Sequence, residues 1–490
     1  MVNDQQNSSV MVNIEKAIQS LNSEDAVSWC QEEFDAIELG DKRLNARLVD
    51  TVSKLAAQPM SPINQACEDW ATTKASYRLF RNEAVTPAKI LLPHQIQTQE
   101  RMKGYPLVLA LQDTSYLDFT THLKTTGLGP IGTEKQNISG LIMHPTLITT
   151  PKGMPLGLLT NDIWARSEDD KEMIEKERKN RPIEEKESYK WIKALEQTVE
   201  LSPKETKVVT VCDREADVYE LFVKADELKT GLLVRATQDR SLLDNEMGKL
   251  WASVEATPIA GRLKVQVPAK NNEPERKAIV GVQFCALTLK APWRPKVEGK
   301  KPLPPVKLYV VLAKEINPPS DVTPLEWLLL TNVPVKSFED AAERVEWYRC
   351  RWHIEVFFKV LKSGCKVEDC RLGTAERLIR FLTVESIIAW RLYWITHINR
   401  HHPDESCRVV LANHEWRALY AYTHRTTTPP RQTPTVHQVV RWIARLGGFL
   451  NRKGDREPGI TTIWRGWHRL NDISSTWLLF HQTEVQTTCG

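Results

Sequence analysis

Two short apolar runs, each stopping at an aspartate, constrain this chain most. Pro106-Leu-Val-Leu-Ala-Leu-Gln112 leads straight into Asp113, and Lys207-Val-Val-Thr-Val-Cys212 leads into Asp213. A nearly continuous apolar run of this length is the pattern of a strand buried on both faces, in a sheet covered by helices. A carboxylate at the C-terminal end of such a strand sits where ligands bind in an α/β sheet. Two of them can share a hard divalent cation such as Mg²⁺, which prefers oxygen ligands and keeps positions open for phosphate. Each aspartate taken singly serves equally well as the cap of the following turn.

The rest of the chain reads as a succession of textures. Residues 14–85 have helical patterning, with a cap at Ser23-Glu24-Asp25 and a stop and fresh start at Leu39-Gly40-Asp41. Arg43 and Arg47 lie one turn apart on one helix face, the pattern of a DNA-contacting stripe or of an ordinary solvated side. Leu141–Thr149 and Gly157–Leu159 extend the sheet. Residues 166–200 are densely charged with both signs, a solvated face ending in a helix over Tyr189–Val199. From about 236 to 330 the runs Leu263–Val267, Ala278–Leu289 and Val306–Ala313 are separated by turn-forming residues, which predicts a β-rich insert. Helix returns over 338–399, and the tail carries basic and aromatic residues over helices around a loop at Thr426–Pro434.

Composition narrows the function classes. The 490 residues hold 66 Lys+Arg against 62 Asp+Glu, a formal charge of +4, so any hold on nucleic acid must come from local stripes. The first residues, Met1 to Asn13, lack the basic and apolar regions of a signal peptide. The most apolar stretch, Thr383–Ile395, is interrupted by Glu385 and Arg391 and is too short to span a bilayer. Nine cysteines without a CxxC pair point to reduced thiols and a cytoplasmic protein, with no zinc site or disulfide framework.

A third segment joins the two aspartates. Tyr348, Arg351, Glu355 and Lys362 share a stripe about 60° wide if the segment is one helix turning about 100° per residue. Ile354, Phe357, Val360 and Leu361 then face the core. A glutamate set between cations, with a tyrosine hydroxyl beside it, suits a metal ligand flanked by phosphate clamps.

With Asp113 and Asp213, this pattern resembles the DDE transposases, and Tyr348-x-x-Arg351-x-x-x-Glu355-x₆-Lys362 resembles the YREK signature of the bacterial cut-and-paste group typified by the transposon five transposase. Supporting stretches run collinearly through Tyr77-Arg78, Gln112-Asp-Thr114, Cys212–Asp217, Glu315–Pro319, Trp327–Thr331 and Ile443–Phe449. The resemblance implies an α/β, RNase H-like catalytic domain with a β-rich insertion, flanked by N-terminal and C-terminal helical domains. The expected division is residues 1–85 for DNA-end binding, 86–400 for catalysis and 401–490 for dimerisation. It further implies two Mg²⁺ ions, with Mn²⁺ able to substitute, held by Asp113, Asp213 and Glu355. Double-stranded DNA, as element ends and target, and a second copy of the chain in a synaptic homodimer are the implied partners, with a nucleoid location and no membrane.

Residue roles follow from the same likeness. Tyr348, Arg351, Lys359 and Lys362 would hold phosphates near the cut. Arg235 would contact DNA, unless it is a solvated charge at a strand end. Trp327 would receive a flipped base, although a tryptophan opening the run Leu328–Leu330 is also what a core requires. Arg43, Arg47 and Arg78 would meet the element end. Leu44 stands where the relative has a second arginine. An end-binding inhibitor without cleavage and a stand-alone structure-specific nuclease are the competing readings, and the intact Asp113, Asp213 and Glu355 set speaks against the first.

Overall fold

The computed structural model describes residues 29–132, 137–167, 181–243, 248–267, 275–293, 302–320 and 322–481. The expected cap at Ser23–Asp25 and the middle of the charged run after residue 167 lie outside them. Five helices open the described chain: α1 (Trp29–Glu33), α2 (Lys42–Ala57), α3 (Ile63–Ala66), α4 (Trp70–Arg81) and α5 (Pro87–Lys103). The expected break before α2 is present. Gly40 takes φ +89, a left-handed value that suits glycine, and the Asp41 side chain accepts from the Arg43 amide as the N-cap. Leu44, Leu48, Val52 and Leu55 bury one face of α2, which leaves Arg43 and Arg47 exposed on the other.

The strands are β1 (Leu107–Gln112), β2 (Ser115–Asp118), β3 (Gly129–Pro130), β4 (Ser139–Thr149), β5 (Pro155–Trp164), β6 (Lys207–Cys212), β7 (Gly231–Arg235), β8 (Gly261–Val267), β9 (Arg276–Leu289), β10 (Val306–Glu315) and β11 (Glu326–Thr331). All belong to one mixed sheet, in which β1 pairs parallel with β6 and β6 parallel with β7. The β4 strand pairs antiparallel with both β1 and β5, so the order β5-β4-β1-β6-β7 forms the RNase H-like half. Burial explains the sequence texture: Val108, Leu109, Ala110 and Leu111 are all fully covered.

The β-rich insert is not a separate module. Its last strand, β11, pairs antiparallel with β7, and β10, β9 and β8 follow outward in the same sheet. Helix α6 (Tyr189–Leu201) packs on β1, β4 and β5, α7 (Tyr219–Glu227) on β7, and α8 (Leu250–Glu255) on β9 and β10. Then come α9 (Phe338–Cys350), α10 (Trp352–Lys359) and the long α11 (Ala375–His401), whose buried face includes Phe381, Ile388 and Trp390. The C-terminal helices are α12 (Asn413–His424), α13 (Val436–Leu446) and α14 (Ile460–His481). Helix α14 reaches back to the start of the chain, where the Trp467 indole donates to the Ala56 carbonyl at 3.1 Å.

One expectation needs correction. Residues 348–362 are not a single regular helix: α9 and α10 abut at Arg351, whose backbone stays right-handed helical with i→i−3 bonds on either side, and Val360–Gly364 is a π-turn closed by the Cys365 amide on the Val360 carbonyl. The four-residue stripe therefore keeps helical backbone through Glu355 and departs from regular spacing only before Lys362. The inward face is as expected, with Ile354, Phe357, Val360 and Leu361 fully buried. Every cysteine among the described residues is a free thiol, and no described helix is long and apolar enough to cross a membrane.

Candidate active site

The parallel pairing of β1 and β6 sets Leu111 opposite Val211, so Asp113 and Asp213 leave adjacent strands at the same edge. Asp113 Oδ1 accepts from the Thr114 amide at 2.8 Å, and Asp213 Oδ1 accepts from the Glu215 amide at 2.9 Å. Each aspartate thus does cap its own turn, as the bland reading required. Both also share a charged neighbourhood, because burial, then the charges of Asp213 and Glu355, push the Asp113 carboxyl up to about 6 while Arg351 opposes them.

Glu355 reaches this edge through Arg351. The Arg351 guanidinium donates from Nη1 to Asp113 Oδ2 at 2.8 Å and from Nη2 to Glu355 Oε1. Burial disfavours the Arg351 charge, but Tyr348, Asp113 and Glu355 outweigh it and raise the pKa. The chain of contacts continues outward. Tyr348 lies 6.0 Å from the Arg351 guanidinium and meets Trp327 edge to face at 5.4 Å. Arg235 pairs with Leu329 across β7 and β11, and its Nη2 donates to the Glu326 carbonyl beside Trp327.

Other expected residues stand apart. Lys362 donates to the Tyr116 carbonyl at 2.5 Å and sits 3.9 Å from Glu368, where burial lowers its pKa. Lys359 is exposed on α10. Arg43, Arg47 and Arg78 are exposed on α2 and α4, which the Thr51 and Ser76 hydroxyls join at 3.1 Å.

The structure adds residues that the sequence pattern did not single out. His144 on β4 is buried, its Nδ1 is 3.0 Å from the Thr114 hydroxyl, and its ring meets the edge of Trp191 at 4.5 Å. Burial, with Lys190 nearby, lowers the His144 pKa to about 3, so it is a neutral imidazole behind the Asp113 turn. A single buried histidine inside an apolar strand has no sequence signature. Glu33, His94 and Arg101 form a second buried network, and its members are too far apart in sequence to suggest one another.

Three family models match along the chain: a transposase DNA-binding domain over residues 26–85, a transposase DDE domain over 190–391 and a transposase Tn5 dimerisation domain over 387–475. Their order repeats that of the N-terminal helices, the sheet with its carboxylates and the C-terminal helices. The chain belongs to the Tn5-type DDE transposases. It is a DNA transposase with an RNase H-like DDE domain between DNA-binding and dimerisation regions.

DDE transposases as a group use divalent metal ions. The donor set fits such an ion, since Asp113, Asp213 and Glu355 offer only carboxylate oxygens and their mutual repulsion favours an added cation. Among the described residues, no three acidic, histidine or cysteine side chains close around a common point as they stand. Arg351 holds Asp113 and Glu355 instead.

Proposed function

We propose that this transposase binds the inverted ends of its element and cuts them with Asp113, Asp213 and Glu355 as its catalytic carboxylates. The observation that carries this reading is the placement of Asp113 and Asp213 on adjacent parallel strand ends, with Glu355 tied to Asp113 through one guanidinium. Two divalent cations held by the three carboxylates, Mg²⁺ or Mn²⁺, would supply activation of the attacking oxygen and stabilisation of the leaving one.

The protein's own groups position the nucleic acid. Arg351, Lys362 and Lys359 hold phosphates beside the scissile bond, and the Tyr348 hydroxyl adds a donor. Hydrolysis of one strand releases a 3′-OH. That hydroxyl attacks the opposite strand, so one phosphodiester forms as another breaks and the end closes as a hairpin. Trp327 offers a flipped base an indole to stack on, which offsets part of an unstacking cost of a few kcal/mol. Water reopens the hairpin, and the freed 3′-OH joins target DNA. Arg235, next to Trp327, steadies the same segment. Residues 1–85 read the end through Arg43, Arg47 and Arg78, residues 86–400 carry the chemistry, and residues 401–490 pair two copies.

The test incubates the purified protein with duplexes carrying its flanking inverted repeats and Mg²⁺. Nicks, hairpins and strand-transfer products at the repeat boundary are expected. Binding without any cutting would replace this reading with an end-binding inhibitor. Cutting unrelated to the repeats would replace it with a structure-specific nuclease.

A further inference from the structure

The side chain that spends the site's negative charge is a residue expected to hold DNA. Arg351 forms both ion pairs at once, to Asp113 and to Glu355, from the junction of α9 and α10. Among the described residues, it alone pairs with either carboxylate. Two of the other candidate DNA contacts are engaged elsewhere: Lys362 on the Tyr116 carbonyl and Arg235 on the Glu326 carbonyl. A guanidinium forked between two carboxylates does electrostatically what a divalent cation would do there. Both cannot occupy the gap.

We propose that Arg351 is a two-position side chain, occupying the cation's place between Asp113 and Glu355 in the DNA-free protein and moving to a DNA phosphate as the cation enters. The inference rests on the reading of Asp113, Asp213 and Glu355 as metal ligands. It makes two demands on energetics. In the DNA-free protein, a metal ion must displace a charge-assisted bidentate contact, so its affinity is reduced. Once a phosphate offers the guanidinium an equivalent partner, that cost disappears, so DNA and metal bind with positive coupling. Linkage requires the coupling to be reciprocal. The protein thereby disfavours a loaded, cutting-competent centre until an end is seated. The backbone at Arg351 is right-handed helical, so the move is one of side-chain rotamers alone.

Mn²⁺ binding, followed by the electron paramagnetic resonance of the free ion, tests the idea on the full chain. The DNA probe is a pre-cleaved inverted-repeat duplex, which leaves no bond to cut. Arg351→Gln should bind Mn²⁺ about tenfold more tightly than wild type without DNA. The duplex should tighten Mn²⁺ binding about tenfold in wild type and much less in Arg351→Gln. Arg351→Lys, whose single ammonium cannot fork, should fall between them and covers the case in which the glutamine variant does not fold. In wild type, Mn²⁺ should tighten DNA binding by the same factor as DNA tightens Mn²⁺. Equal Mn²⁺ affinity in wild type and both Arg351 variants, or no DNA effect in wild type, would overturn the two-position model. Asp113→Asn separates the two levels of inference: if it binds Mn²⁺ as wild type does, the metal assignment itself has failed.

Discussion

Glu33 is the acid whose removal has the most calculable consequence. It sits on α1 in the DNA-binding region and is only 4% exposed, yet its partners lie on α5, beyond that region. Arg101 grips it with two bonds of 3.0 Å, from Nη1 to Oε2 and Nη2 to Oε1, while stacking at 4.4 Å over Trp390 of α11. His94 Nε2 accepts from the Leu158 amide at 2.8 Å, so the ring proton is on Nδ1 and is donated to Glu33 Oε1. Burial works against the carboxylate, but Arg101 and then His94 outweigh it and pull the pKa from 4.5 to about 2. At about 1.4 kcal/mol per unit, that depression contributes roughly 3 kcal/mol at neutral pH. Breaking a buried pair from one side costs about 3–5 kcal/mol, a compatible figure.

Glu33→Gln should therefore lose about 3 kcal/mol in urea denaturation at pH 7. Because the folded pKa is depressed, this contribution is complete above about 4.5 and disappears as pH falls towards about 2. The gap between wild type and variant should accordingly close across that window. Burial also lowers the His94 pKa, so both proteins lose stability below its ordinary value of 6.5, where the unfolded state takes the proton first. In a double-mutant cycle with Arg101→Met, the two losses should be strongly non-additive. A Glu33→Gln cost under about 1 kcal/mol at pH 7, or a gap that persists undiminished at pH 2, would refute the argument.

Glu385, buried on α11 with Oε2 unpartnered, is held protonated by burial at a pKa of about 8 despite a hydrogen bond from Cys365. Its raised pKa means that wild type loses stability as pH rises from 4.5 to 8, by at most about 5 kcal/mol, and Glu385→Gln should flatten that slope in denaturation across the same range. Thr114→Val removes the hydroxyl linking His144 to the Asp113 turn; kcat in the end-cutting assay should fall about tenfold with DNA affinity intact, and unchanged turnover would make that contact purely structural. Asp113→Ala should keep paired-end binding in gel shifts and lose nicking altogether, so residual nicking at the correct site would contradict its assigned role.

What the sequence disclosed and what it hid follow a physical division. Buried strands announce themselves through apolar runs, so β1, β6 and the carboxylates at their ends were legible in the sequence. The part of the stripe from Tyr348 to Glu355 was legible too, because helical spacing is local. The π-turn after Lys359 was not, since nothing in the local spacing of Val360–Gly364 departs from an ordinary helical pattern. The Glu33, His94 and Arg101 network was hidden for a different reason. It spans 61 and 68 residues of sequence, and nothing in one segment anticipates its partner in another. The insert was recognised as β-rich, but its fusion to the main sheet depends on the pairing of β11 with β7, which no run of residues encodes.

That fusion bears on which partner deforms. Trp327 stands on β11, hydrogen-bonded through β7 and β6 to the strand that carries Asp113. If Trp327 stacks a flipped base as proposed, its strand-bound backbone leaves the base to be drawn out to it, and the duplex bears the distortion. Element ends whose steps next to the cut unstack cheaply, pyrimidine–purine steps above all, would then be processed faster even where no side chain reads their identity.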